Sequence, residues 1–233
     1  MRTTLKGLAC VAAVTAMVAS FNSPVIAQTD DVASTKHNLS VSSGGSDPTS
    51  GNALVDYGEI CVSCHTPHGG QTAAPLWNRN FSTATYQMYD NAHSSTIDMS
   101  VDAQPTGISM ACLSCHDGTI GLDVIINAPN SFGGTIPGTT PGTNTMPLGS
   151  NALLDTDLRN DHPVSVVYDP VQDPAFRPVA NLTSAGIPLF TDPSSPGSKV
   201  QCASCHNPHN DTHSPLLRMS NGSSALCTTC HIK

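Results

Sequence analysis

Large aromatic side chains are scarce in this 233-residue chain: one Trp, four Tyr and five Phe make up 4% of it. Such a chain has little apolar bulk from which to build a core, and its 18 Gly and 18 Pro interrupt long helices. Charge is thin as well, at 11%, with nine basic residues against seventeen acidic ones. That balance excludes a nucleic-acid partner, because nothing could neutralise a row of phosphates. Beyond the N-terminus no run approaches the roughly 18 to 20 apolar residues of a transmembrane helix, so no membrane span is expected. No grouping of serine, free cysteine and carboxylate suggests a catalytic nucleophile, and the chain is not read as an enzyme.

Residues 1–27 have the pattern of an export signal: Arg2 and Lys6, an apolar run from Leu8 to Val18, and Val25-Ile26-Ala27 as a small-residue cleavage site. Cys10 precedes most of the apolar run, the wrong side for a lipid-bearing cysteine. The expected product is therefore exported, extracellular or periplasmic, and begins at Gln28. It keeps seven basic and seventeen acidic residues, a net charge of −10.

Against these shortages stands one repeated pattern. The eight cysteines after Cys10 all lie in Cys-x-x-Cys-His: Cys61, Cys64 and His65; Cys112, Cys115 and His116; Cys202, Cys205 and His206; Cys227, Cys230 and His231. Thiols three residues apart on a short helix share one face. They can add to the two vinyl groups of a haem while the adjacent imidazole reaches its iron. Zinc knuckles could also use such cysteine pairs, but a histidine directly after the second cysteine in all four copies, in an exported chain, favours haem. Four covalently bound c-type haems are expected, with His65, His116, His206 and His231 as proximal ligands. Their porphyrins would supply the missing apolar surface, so the haem-free chain is expected to be largely unfolded.

The chain also repeats internally. His37-Asn38-Leu39-Ser40, the first motif with Pro67-His68, Pro75-Leu76 with Arg79, and Ser109 ahead of Cys112 are matched by a second series. That series is His162-Pro163-Val164-Ser165, the third motif with Pro208-His209, Pro215-Leu216 with Arg218, and Ser224 ahead of Cys227. Ten histidines less four proximal ones leave six. His37, His68, His162 and His209 are matched across the repeat and become the distal candidates, whereas His93 and His213 are not. A second histidine saturates an iron and leaves it electron transfer alone. His68 and His209 follow a proximal histidine too closely to reach the far face of the same haem, so each is expected to serve a neighbour. Arg79 and Arg218 are candidates for haem propionates.

The expected fold is coil-rich and haem-cored, with few short α-helices around the motifs and minimal β-structure. After residues 1–27 come an arm over 28–60 bearing His37, a first two-haem module over 61–127, a Pro/Gly-rich linker with the His162 segment over 128–200, and a second module over 201–233. A short helix is expected at each cysteine pair, one of them from about Pro105 to Asp117-Gly118, and a strand over His162 to Val167.

The phrases Cys-x-Ser-Cys-His-x-Pro-His, Cys-Leu-Ser-Cys-His-Asp-Gly, Asp-His-Pro-Val-Ser and Leu-Arg-Met-Ser-Asn resemble secreted multihaem cytochromes with doubled CxxCH motifs. With four motifs the chain is most similar to the OmcE-type tetrahaem cytochromes. That resemblance implies bis-histidine haems along a coil-rich subunit, and subunits polymerised into extracellular filaments that conduct electrons. It also implies partners: copies of the chain itself, with His37 on its arm as a candidate ligand across the subunit boundary, and redox proteins as donors and acceptors. The alternatives are a monomeric periplasmic shuttle and a multihaem reductase with one open haem. The negative charge opposes self-association, and divalent cations are expected to offset it.

Overall fold

The computed structural model describes residues 31–49, 54–134 and 144–232. The expected export signal and Cys10 lie outside the described residues. Within them the chain is coil-rich: four short helices, α1 (Ile108–His116), α2 (Val179–Ser184), α3 (Cys202–Cys205) and α4 (Ala225–Cys230), and three strands, β1 (Val166–Val167), β2 (Phe190–Asp192) and β3 (Ser195–Val200). The strands form one antiparallel sheet in the order β1-β3-β2, with Val166 opposite Val200 and Phe190 opposite Lys199.

Helix α1 starts later than Pro105 because Gly107 sits at φ 54°, ψ −136°, a conformation no helix contains. It ends where Gly118 takes φ +72°, the left-handed position that commonly stops a helix. Motifs two, three and four lie on α1, α3 and α4. The first motif makes only a single turn, closed by the His65 amide on the Cys61 carbonyl at 2.8 Å. Thr66 leaves that turn at once, its amide bonding the Leu76 carbonyl at 2.8 Å.

Three small apolar clusters replace a single core. Tyr86, Met88, Leu113 and Leu158 pack beneath α1; Tyr57, Val62 and Ile125 pack behind the first motif. Tyr168, Leu182 and Ile187 gather Phe176, Met219, Leu226 and Cys230 around them. The third cluster and the sheet both lie in residues 166–230, so the later part of the 128–200 segment carries ordered structure that packs against the last motif.

A buried polar seam joins the halves. Gln201 accepts from the hydroxyls of Ser109 (2.5 Å) and Ser165 (3.1 Å), and the Cys202 amide donates to Ser109 Oγ at 3.1 Å. All three side chains are at most 1% exposed. Beside them the fully buried Lys199 ammonium meets Asp102 Oδ2 at 2.6 Å, and Asp102 also accepts from Ser195 and Thr106 hydroxyls at 2.6 Å each. Burial pushes the Asp102 carboxyl up, but Lys199 and the two hydroxyls prevail and hold it below the ordinary carboxylate value. The stability this contributes is present above that ordinary value and is lost as the pH falls through the lowered one.

Asp102→Asn strands a buried ammonium and is expected to destabilise the fold by about 3–5 kcal/mol. Denaturant unfolding of the haem-loaded chain measures this. Wild type should lose stability on acidification below about pH 4, and the variant should lose less over the same range.

Candidate functional site

The third and fourth motifs close as the first does, with His206 N on Cys202 O at 3.0 Å and His231 N on Cys227 O at 2.9 Å. Their histidines then leave in extended conformations, φ −107° and −92°, which swings each ring clear of its own helical turn. None of the eight thiols forms a disulfide.

Backbone carbonyls set the rings. Nδ1 of His65 lies 2.8 Å from Pro75 O, His116 2.7 Å from Ala152 O, and His206 2.9 Å from Pro215 O. Among the distal candidates, His37 Nδ1 is 3.2 Å from Pro208 O and His162 Nδ1 is 2.9 Å from Pro163 O. A carbonyl can only accept, so Nδ1 must carry the proton and Nε2 keeps a lone pair for a metal. Burial first, then neighbouring imidazoles, lowers the pKa of His37; burial also lowers that of His116, which further favours the neutral, ligating form.

The rings then pair across gaps of nearly one width. His37 faces His116 with ring centres 6.1 Å apart, His209 faces His65 at 6.1 Å, and His162 faces His231 at 6.5 Å. Imidazole–metal bonds of about 2.0–2.1 Å on opposite sides of one ion, plus roughly 1.1 Å from nitrogen to ring centre, put two ring centres about 6.3 Å apart. Each pair therefore brackets room for one metal ion and a planar macrocycle. Spacing, tautomers and thiol pairs all fit haem.

His209 belongs to the third motif's loop yet faces the first motif's histidine. His37 faces His116 of its own chain. His68 and His206 are both exposed, and among the described residues neither has a histidine ring opposite it. His93 is exposed with its ring edge-on to Tyr89 at 5.0 Å. His213 is half-buried and bridges to Leu217 within the third motif's loop.

Thiols of successive motifs lie next to one another. Burial pushes the Cys64 thiol up to about 12, with Cys115 of the second motif adding to the rise. Cys112 and Cys202 share a hydrogen bond, which raises the first and lowers the second. Cys205 is raised by burial and then by Cys202 and Cys227. The four cysteine pairs thus follow one another in sequence order, each within electrostatic reach of the next.

The structural repeat differs in one place from the sequence repeat. Asn78 N bonds Cys64 O and Asn78 Nδ2 bonds Val62 O, both at 2.8 Å. Arg218 N bonds Cys205 O at 2.8 Å and Arg218 Nε bonds Ala203 O at 2.7 Å. Arg218 therefore corresponds to Asn78, not to Arg79. Leu76 and Leu216 share left-handed backbone at φ 54° and 58°, which confirms this register.

Arg79 has a different task from the propionate contact expected of it. Its guanidinium is wholly buried and donates to the carbonyls of Leu122 (2.7 Å), Gly121 (2.6 Å) and Ser114 (3.1 Å). A group covered by protein before any haem is added cannot face one. It pins the second motif to the first.

His209→Ala is expected to open the iron site bracketed with His65, converting one low-spin ferric signal to high-spin in the electron paramagnetic resonance spectrum. His93→Ala and His213→Ala should leave the spectrum unchanged.

Residues 195–233 match the protein family described as the doubled CXXCH motif. No curated protein matches the chain. The matched segment holds β3, α3 and α4 with the third and fourth motifs, and doubled motifs of this kind bind c-type haem covalently. Thiols paired on single turns and imidazoles facing across metal-sized gaps make a framework suited to covalent haem attachment.

Proposed function

We propose that this chain is an exported tetrahaem cytochrome that passes electrons along closely spaced haems, each held between two histidines, and that it polymerises into an extracellular filament. The observation that carries the reading is the set of three histidine pairs separated by 6.1–6.5 Å. Each bound haem would supply a one-electron Fe(III)/Fe(II) couple.

The residues divide the work. Cys61 and Cys64, Cys112 and Cys115, Cys202 and Cys205, and Cys227 and Cys230 fix the four groups in place. His116 with His37, His65 with His209, and His231 with His162 are the pairs that would hold three of the irons. Because the thiols of successive motifs adjoin, neighbouring groups come close enough for electrons to pass without large movement of the chain. No described helix is long and apolar enough to cross a membrane.

Two histidines support the filament. His206 is a proximal candidate and His68 an exposed distal one, and among the described residues neither has a histidine ring opposite it. One chain's His68 can complete the site that another chain's His206 begins, which joins copies head to tail. His37, expected to bridge chains from its arm, is already engaged with His116, so the bridging role passes to His68. A chain that stayed single would instead keep an open coordination position at His206, the condition for reducing a small molecule.

Electron microscopy of the secreted fraction should show fibres, and haem analysis should give four haems per chain. His68→Ala should abolish the fibres and leave one high-spin iron per chain. Discrete particles from wild type would reject the filament, and particles with four low-spin irons would indicate a soluble shuttle.

A further inference from the structure

Only the second motif is followed by an acid: His116 precedes Asp117, whereas Thr66, Asn207 and Ile232 follow the other proximal histidines. Asp117 is 2% exposed. Its Oδ2 accepts from the Tyr86 hydroxyl at 2.5 Å, and its Oδ1 from the Thr119 amide at 2.8 Å and hydroxyl at 2.9 Å. Thr119 Oγ1 also lies 2.9 Å from Oδ2 and from Ser82 Oγ. The Thr119 amide can only donate and the Tyr86 and Thr119 hydroxyls are both able to, so the pocket is furnished with donors for a carboxylate. Tyr86 is itself buried in the cluster beneath α1, and burial with the adjoining carboxylate raises its pKa, so it stays a donor.

We propose that Asp117 tunes the second haem site: its buried negative charge, fixed one residue from His116, holds the reduction potential there below that of an otherwise equal site. The proposal rests on the tetrahaem reading. A ferric haem core carries one more positive charge than a ferrous one, so a nearby anion favours the oxidised form. Poor screening in the interior strengthens that preference. Arg79 is the opposing buried charge. It bonds Ser114, Gly121 and Leu122 carbonyls and acts on Cys64 of the first motif, whereas Asp117 is the carboxylate that acts on His116. Arg79 stays in place when Asp117 alone is neutralised, so the sign of the effect does not depend on it. Electrons entering the row would then rest on the second site less than on its neighbours.

The test is a spectroelectrochemical titration of the haem-loaded chain. His37→Ala marks the second site by turning its iron high-spin. Asp117→Asn should raise that site's midpoint and leave the other three, changing its reduced-to-oxidised ratio at fixed potential on the order of tenfold, or about 59 mV. Tyr86→Phe keeps the charge but removes a donor that disperses it, and should move the same midpoint downward. Opposite shifts separate a tuning role from a structural one, which would move both variants alike. An unmoved or lowered midpoint in Asp117→Asn would overturn the proposal. If that variant fails to fold, Tyr86→Phe decides alone, and an unchanged or raised midpoint refutes it. Wild type lacking haem at Cys112 and Cys115 would overturn the tetrahaem reading itself, a result distinguishable from four normal haems with unmoved potentials.

Discussion

An imidazole can offer a bare nitrogen to a metal only if its other nitrogen keeps the proton, and a backbone carbonyl is the surest way to keep it there. Helices and sheets consume their own carbonyls, so carbonyls for this purpose must come from chain that belongs to neither. Five rings here are held in this way, by Pro75, Ala152, Pro163, Pro208 and Pro215. Four of the five are prolines, residues without an amide proton that keep their neighbourhood out of regular structure. The high coil content is therefore a requirement of ligation as much as a result of weak apolar composition. What regular structure remains is placed where thiols need a common face, or where a buried seam must join the halves.

Much of the site was legible because its chemistry is local. Cysteine spacing, the adjacent histidine and the repeat depend on residues a few positions apart, and a coil-rich fold followed from scarce aromatics and abundant Gly and Pro. What could not be read was long-range. Nothing in the sequence says that His209 faces His65, or that His37 faces His116, because those pairings depend on how two loops far apart in the chain meet. The two strands after residue 189 are hard to read from sequence for a related reason. Phe190–Asp192 and Ser195–Val200 look like turn-rich chain, yet antiparallel pairing and the burial of Leu182 organise them.

Arginine shows how a motif can mislead at one remove. Aligning Arg79 with Arg218 is natural in a string of letters, since both follow a Pro-Leu pair. The backbone places Arg218 where Asn78 stands, and both side chains reach the same carbonyl of their cysteine motif. An amide and a guanidinium are interchangeable there because the task asks only for a donor. Arg79 is then free for a separate task, one that depends on carbonyls from 114 to 122 and so could not be inferred from the repeat.

The loop from His206 to His209 has a consequence for how such a chain can change over time. Within four residues it carries the proximal ligand of one motif, the carbonyl of Pro208 that orients His37 for a second, and His209, which faces His65 of a third. A one-residue insertion or deletion there would disturb three histidine positions together. The remainder of the spacer in each half, away from Pro75, Arg79 and Pro215, serves no such joint duty, and the spacers differ widely in length between the copies. Natural variation in length should therefore collect in those stretches, while this short loop stays fixed in length and keeps its buried Asn207, whose Oδ1 accepts from the His209 amide at 3.1 Å.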